Sequence, residues 1–166
     1  MIIVEGADNS GKTTFAKKLA FMLSEESLIP YISSGGPPKT NLQMVQNLSL
    51  QLLSAKEAQV RDRVTCISDP IYSGKMNESL YHYFQNAFVE LKVPVIYCRP
   101  PDEVLLDIAN HPVKDHETIE HVKWVIENQP MLIKRYDQLM RGIPHITYDW
   151  TRDDFSLIAD KIRGNM

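Results

Sequence analysis

Short apolar runs recur along the chain, and each is followed by a longer segment in which apolar residues lie at helical spacing. Runs of this kind are typical of strands that are buried on both faces of a parallel sheet. The helical segments between them are long enough for the crossover connections that parallel strands require. The strands are predicted at residues 1–5, 28–33, 64–68, 93–98 and 144–148.

Amphipathic segments between the strands predict the helices. Pro130 is expected to separate two of them, because proline fits the first turn of a helix better than its interior. Helices are predicted after Gly11 and Asn77, and at residues 42–60, 102–109, 116–128, 130–140 and 153–163. Five alternations of strand and helix therefore predict one three-layer α/β/α domain over residues 1–166, with a mostly parallel sheet of five strands.

Ligands of such sheets bind beyond the carboxyl ends of the strands. The loops that follow the strands are therefore expected to share one edge of the domain. These loops begin at Gly6, Ser33, Asp69, Arg99 and Asp149. Arg61 and Arg63 precede the predicted third strand, so we expect them at the opposite edge and exclude them as ligands.

The composition limits the partners of the protein. The chain has 18 Lys and Arg against 21 Asp and Glu, and no basic block that would indicate polymeric nucleic acid or an anionic membrane. The apolar runs are much shorter than the roughly 20 residues that span a bilayer, and no signal sequence opens the chain. We therefore expect a cytoplasmic protein, with Cys66 and Cys98 as reduced, buried thiols.

Residues 6–13, GADNSGKT, match the phosphate-binding pattern GxxxxGK[ST]. The motif follows an apolar strand and precedes a helix, where its backbone N–H groups and the helix N-terminus can surround an anion. Lys12 is expected to contact the β- and γ-phosphates of ATP, and the Thr13 hydroxyl to complete a Mg²⁺ shell. The residues predicted to bind ATP in this loop are Asn9, Ser10, Gly11, Lys12, Thr13 and Thr14.

The longer segment 5–14, EGADNSGKTT, resembles the EGxDGSGKTT signature of the thymidylate kinase family. The resemblance implies a P-loop kinase fold and ATP-dependent phosphoryl transfer to a deoxynucleoside monophosphate. It also implies that Asp8 lies near the sugar of the acceptor, the alternative being a solvated loop carboxylate. Asn9 replaces the family's glycine, at a position where some members have a catalytic arginine, so transition-state cations must come from elsewhere.

The predicted third strand and the residues after it resemble the family's apolar strand followed by D-R-[YF]-x-x-S. Asp69 takes the place of the aspartate, where a carboxylate can orient the hydration shell of Mg²⁺ or accept a hydrogen bond from the attacking group. The alternative is that Asp69 is a turn residue before proline. The family's arginine, which helps to hold the acceptor phosphate, is replaced by Pro70.

A second arginine of the family is also missing. Residues 33–37, SSGGP, stand where the family has REPGG, and Lys39 is the nearest substitute cation. Arg99 directly follows the predicted fourth strand, so we expect it to clamp the acceptor phosphate. The alternative is a surface arginine that pairs with Asp102 or Glu103.

Further substrate contacts follow from the resemblance. P-loop nucleotide kinases have a lid that brings cations over the phosphates, and residues 110–123 occupy its place, with Lys114 as the preferred cation. Tyr72 and Tyr81 are the candidates for stacking on the acceptor base. Arg152, after the last strand, is expected to lie against the purine of the donor.

These observations favour a mononucleotide kinase that acts on small nucleotides. A kinase that phosphorylates a hydroxyl, with Asp69 as the base, is the alternative, because a neutral acceptor needs no phosphate clamp. A nucleotide-dependent switch or accessory ATPase is a third reading, although the chain has no NKxD-type guanine motif. The resemblance also implies a possible homodimer, for which the helix at residues 42–60 offers a face.

Overall fold

The computed structural model describes residues 1–24, 28–34, 36–108 and 118–164. Its strands are β1 (Ile2–Glu5), β2 (Tyr31–Ser33), β3 (Val60–Asp62), β4 (Val95–Cys98) and β5 (Ile146–Tyr148). They form one parallel sheet in the order β2-β3-β1-β4-β5. The predicted fold class, an α/β structure with a five-stranded parallel sheet, is confirmed.

Helices cover both faces of this sheet. In the described part of the chain they are α1 (Lys12–Leu23), α2 (Asn41–Leu53), α3 (Thr65–Ser73), α4 (Ser79–Glu90), α5 (Asp102–Leu106), α6 (Ile119–Met140) and α7 (Phe155–Arg163). Ile2 and Val4 of β1 pack with α1 and α7, whereas Ile3 packs with α2, α3, α4 and α6. None of the helices among these residues is both long and apolar enough to cross a membrane.

The third strand is not where the sequence predicts it. β3 ends at Asp62, and the predicted strand at residues 64–68 lies mostly in α3. A short apolar run cannot be assigned to strand or helix by periodicity alone, and here Ile67 and Ile71 face the core at helical spacing. Asp69 is therefore a helical residue, whereas Asp62 and Arg63 stand at the carboxyl end of a strand.

Two further helix boundaries differ from the prediction. Pro130 lies inside the continuous helix α6, where buried residues on both sides of it, such as Val125 and Ile133, pack into the core. This packing offsets the lost hydrogen bond of proline. α2 ends at Leu53, well before residue 60, and Leu42 and Leu53 of this helix are exposed. The dimer face on this helix stays a prediction.

The loops after the five strands lie at one edge, as expected. Neighbouring strands are joined there by backbone hydrogen bonds, from Arg63 to Val4 at 2.9 Å, from Ser34 to Asp62 at 3.1 Å, and from Arg99 to Tyr148 at 2.8 Å. The expectation that Arg63 lies at the opposite edge is wrong, because β3 precedes it. The loop after β3 therefore begins at Arg63 and not at Asp69.

Glu5, the last residue of β1, is a fully buried carboxyl group. It accepts hydrogen bonds from the backbone N–H of Val64 at 2.7 Å and from the hydroxyl of Tyr136 at 3.2 Å. Burial raises the pKa of Glu5 to about 7, although the hydrogen bond from Val64 offsets part of this increase. Glu5 thus links the central strand to α3 and α6 while holding a proton near neutral pH.

Replacing Glu5 with glutamine should remove a pH dependence of stability. Between pH 4.5 and about 7 the folded protein keeps a proton on Glu5 that the unfolded chain has lost, so wild-type stability falls as the pH rises. We expect Glu5→Gln to equal the wild type near pH 5 and to exceed it at pH 8 by on the order of 3 kcal/mol. Urea unfolding at both pH values measures this difference.

The exposed Glu90 provides the control, since Glu90→Gln makes the same substitution outside the core. Curves for the wild type and Glu5→Gln that stay parallel from pH 5 to pH 8 would contradict the role of Glu5.

Candidate active site

The loop between β1 and α1 is folded tightly around its own backbone. Gly6 has φ 154°, and a Cβ there would lie 2.5 Å from Ser10 Oγ and 2.6 Å from the carbonyl oxygen of Cys98. Gly11 has φ 77° and stands at the start of α1. Both positions therefore require glycine. The loop brings the buried ammonium group of Lys12 within 3.2 Å of the carbonyl oxygen of Ala7.

Side-chain amides hold this loop in place. Asn9, at φ 62°, donates to the carbonyl oxygens of Val104 at 2.6 Å and Asp107 at 3.1 Å, both at α5. Gln129 of α6 donates to the carbonyl oxygen of Asp8 at 2.7 Å. The side chain of Asn9 therefore anchors the loop to α5, and only its backbone remains for the ATP contact that the sequence predicts.

Asp62 stands beside the loop at the end of β3. Its Oδ2 accepts hydrogen bonds from the hydroxyls of Thr13 at 2.6 Å and Tyr31 at 3.0 Å. Its Oδ1 is buried and has no hydrogen-bond partner among the described residues. The carboxylate is thus fixed through one oxygen, and the other remains available as an acceptor.

Arg63, Asp8 and Tyr72 form a connected group next to Asp62. Arg63 Nη2 donates to Asp8 Oδ1 at 3.0 Å and to the hydroxyl of Tyr72 at 2.7 Å. That hydroxyl donates to Asp8 Oδ2 at 2.5 Å. Burial raises the pKa of Tyr72. Burial lowers the pKa of Arg63, but neighbouring groups, with Tyr72 and Asp8 foremost, raise it by more in total. The pKa of Arg63 therefore lies above its ordinary value.

The backbone of Arg63 is strained. Its φ of 72° lies in the left-handed region, which costs a residue other than glycine about 1–3 kcal/mol. The contacts with Asp8 and Tyr72 hold the residue in this conformation. Such strain is found most often at functional sites.

Two cavities open beside these residues. The larger, of about 470 Å³, is lined by residues that include Lys12, Thr13 and Asp62. The smaller, of about 70 Å³, is lined by residues that include Asp69 and Tyr72. Arg63 and His121 line both cavities.

Asp69 and Tyr81 are placed differently from the prediction. Asp69 lies in α3, and its carboxylate accepts a hydrogen bond from the Tyr81 hydroxyl. Tyr81 is fully buried, so its ring has no face open to a base and the stacking predicted for it is wrong. Tyr72 lines the smaller cavity, but the guanidinium of Arg63 lies over its ring, 4.8 Å from the centroid.

Arg99 does not reach either cavity. Its guanidinium pairs with Asp137 at 2.9 Å and with Asp102 at 2.6 Å. Burial alone would raise the pKa of Asp137, but the hydrogen bonds from Arg99 and Tyr97 lower it below its ordinary value. The structure therefore supports the alternative, an arginine in surface ion pairs, and contradicts the predicted phosphate clamp.

The other predicted residues are distributed around the site. Ser10 is buried in the loop, whereas Thr14 is exposed in the first turn of α1. Lys39 is exposed before α2. Lys114 and residues 110–117 of the predicted lid lie outside the described residues, and the rest of that segment runs into α6.

The loop after β5 approaches the phosphate-binding loop. The indole of Trp150 packs on Gly11, where an added Cβ would lie 2.8 Å from Trp150 Cδ1. Arg152 is exposed and its guanidinium lies 3.1 Å from the carboxylate of Asp149. The predicted donor-base loop is therefore next to the phosphate-binding loop.

Asp62 has no role in the sequence analysis and Arg63 is excluded there, although both line the larger cavity. They form an Asp-Arg pair, the same pair sought at Asp69 and Pro70, seven residues earlier in the chain. A search for that dipeptide anywhere in the chain would have found them, because Asp-Arg occurs once in the sequence.

Comparison with known proteins finds similar structures. No family model and no curated protein matches the chain. The YorR protein from Bacillus subtilis, solved in complex with phosphorylated GDP, is 18% identical with a TM-score of 0.72, over 98% of this chain and 92% of YorR.

Deoxyadenosine kinase from M. mycoides gives two further matches. The structure with dCMP and dCDP is 18% identical with a TM-score of 0.58, over 99% of each chain. The structure with bound dATP is 20% identical with a TM-score of 0.56, over 99% of this chain and 97% of the kinase. The chain thus has the same fold as YorR and deoxyadenosine kinase, which confirms the P-loop kinase fold that the resemblance in the sequence implies.

Proposed function

We propose that the protein is a deoxynucleoside monophosphate kinase, a single P-loop kinase domain that transfers the γ-phosphoryl group of ATP to the acceptor's 5′-phosphate. The observation that carries the proposal is the position of Arg63, which lines both cavities and shares the larger one with Lys12. A guanidinium presents two parallel donors that match a phosphate. The strained backbone of Arg63 supports a functional role for it.

The phosphate-binding loop suits the triphosphate of ATP. Gly6 and Gly11 allow the positive-φ conformation in which the backbone N–H groups of the loop can surround an anion, and the N-terminus of α1 adds a positive partial charge. Lys12 would bind the β- and γ-phosphates. Thr14, in the first turn of the same helix, would bind a phosphate nearer to the ribose.

Thr13 and Asp62 suit Mg²⁺, because both offer oxygen atoms and Asp62 Oδ1 is buried without a partner among the described residues. Bound Mg²⁺ would neutralise charge on the phosphates. Asp62 thus takes the role that the sequence suggested for Asp69.

The acceptor lies on the β3 side of the loop in this proposal. Arg63 would hold its phosphate, and Asp8 would accept a hydrogen bond from its sugar, with Tyr72 fixing both side chains. M. mycoides deoxyadenosine kinase, of the same fold, was solved with the products dCMP and dCDP, which supports deoxynucleotides as ligands of this fold.

The sheet order supports a position for the base of ATP. β1 is central, β3 is on one side of it, and β4 and β5 are on the other. If the γ-phosphate points toward Arg63, the base extends toward the loop after β5, which holds Trp150 and Arg152. Phosphoryl transfer would then depend on the positioning of the two substrates and on the neutralisation of charge on the phosphates.

A kinase that phosphorylates a hydroxyl group is the second candidate. The charge of Arg63 is shared with Asp8, which weakens its attraction for a phosphate. The free oxygen of Asp62 could accept the proton of an attacking hydroxyl group. A match to a deoxyadenosine kinase supports this reading as well.

An assay of ADP release distinguishes the two candidates. The wild-type protein with ATP and Mg²⁺ is tested against dTMP, dUMP, dCMP, dGMP, dAMP, their ribonucleotides and the parent nucleosides, with products identified by mass. We expect diphosphates from at least one deoxynucleoside monophosphate. Products formed from nucleosides alone would establish the hydroxyl acceptor instead.

Asp62→Asn should lower kcat by on the order of 100-fold, because the amide removes a negative charge from the proposed Mg²⁺ site. Asp69→Asn is the matched control, and we expect less than about a threefold change, since an amide oxygen can still accept the Tyr81 hydrogen bond. Steady-state kinetics at saturating substrates measures both. A larger loss in Asp69→Asn than in Asp62→Asn would return the metal site to Asp69.

Arg63→Lys should raise the KM for the monophosphate about tenfold and leave the KM for ATP nearly unchanged, because lysine lacks the paired donors of arginine. Arg99→Lys serves as the control, since Arg99 is held by Asp102 and Asp137. We expect its KM for either substrate to match the wild type. Equal KM changes in the two variants would remove Arg63 from the acceptor site.

A further inference from the structure

Lys17 lines the larger cavity although the sequence gives it no role. It lies five residues after Lys12 on α1, and both lysines border the same cavity as Asp62 and Arg63. The side chain is exposed and pairs with no carboxylate in the part of the chain that the structure describes. Its charge is therefore available to a ligand.

The aromatic ring of Tyr31 holds Lys17 at this position. The ammonium nitrogen lies 5.5 Å from the ring centroid, within the range of a cation–π interaction. Tyr31 is itself fixed, because it belongs to β2 and its hydroxyl donates to Asp62 Oδ2 at 3.0 Å. Tyr31 thus contacts Asp62 through its hydroxyl and Lys17 through its ring.

The other cations at the cavity have anionic neighbours. Arg63 lies 3.0 Å from Asp8, and Lys12 lies 3.7 Å from the same carboxylate. One carboxylate therefore offsets part of both charges. Lys17, on the β2 side of the cavity, has no such neighbour among the described residues.

We propose that Lys17, whose ammonium group lies over the ring of Tyr31, is a second phosphate-binding residue. It contacts the phosphate of the acceptor from the β2 side. Arg63 approaches the same phosphate from the β3 side. The proposal rests on the proposed monophosphate kinase activity, and it deepens that activity by adding a cation to the acceptor site.

The test compares Lys17→Met with Lys18→Met. Lys18 is the matched control, because it is also an exposed lysine of α1 and its ammonium lies 5.7 Å from the ring centroid of Phe155, whereas it does not line the cavity. We expect Lys17→Met to raise the KM for the monophosphate about tenfold, with the KM for ATP unchanged, and Lys18→Met to change neither.

Lys17→Arg should restore most of the affinity, because it keeps the charge and the contact with the ring. Calorimetric titration of the monophosphate that the wild type uses gives a readout independent of turnover. We expect its Kd to rise about tenfold in Lys17→Met and to stay near the wild-type value in Lys18→Met and Lys17→Arg.

Two substitutions of Tyr31 separate its contacts. Tyr31→Phe keeps the ring under Lys17 and loses the hydrogen bond to Asp62, so it should lower kcat and leave the KM for the monophosphate unchanged. Tyr31→Leu loses both contacts and should also raise that KM. A Tyr31→Leu variant with an unchanged KM would overturn the role of the ring.

The outcomes separate this proposal from the one on which it rests. If the wild type uses monophosphates and Lys17→Met behaves like Lys18→Met in both KM and Kd, the proposal for Lys17 is wrong and the proposed function stands. If the wild type phosphorylates no monophosphate, both are wrong.

Discussion

The hydrogen bonds to one oxygen of Asp62 connect the elements on which the site depends. Thr13 donates from the first turn of α1, and Tyr31 donates from β2. The carboxylate therefore fixes the helix that follows the phosphate-binding loop relative to β2 and β3 of the sheet. Since both donors use the same oxygen, the second oxygen keeps its capacity to accept a hydrogen bond or to bind a cation.

Buried polar groups hold the strand and the loop of the site in position. Glu5 joins β1 to the start of α3, Asp8 joins the phosphate-binding loop to Arg63, and Gln129 reaches the same loop from α6. Buried polar groups are costly unless they are hydrogen-bonded, and each of these has partners on a different element. The arrangement fixes the loop by directional contacts, which apolar packing alone does not provide.

Much of the fold follows from local signals in the sequence. The phosphate-binding motif, the parallel sheet and most helices could be predicted, because the spacing of apolar residues and the positions of the glycines indicate them directly. β3 could not, since it has three residues and the stronger apolar run at 64–68 belongs to α3. That one error gave Asp69 the place of a strand-end carboxylate and removed Arg63 from the site.

The contacts within the site could not be predicted from the sequence. Asp8 and Tyr72 are 64 residues apart, and their hydrogen bond depends on how α3 packs against the central strand. Arg99 follows a strand at the expected edge, yet Asp137 of α6 holds it. The burial of Tyr81 could have been predicted from the sequence, because Tyr81, Phe84 and Phe88 share one face of a helix.

The contact between Trp150 and Gly11 has a practical consequence. The chain has two tryptophans, and one of them rests on the phosphate-binding loop with its indole about half exposed. A nucleotide that occupies this loop changes the polarity around that indole, so the intrinsic fluorescence of the protein should report binding without any label. Trp124, on α6, would be replaced by phenylalanine so that the emission comes from Trp150 alone.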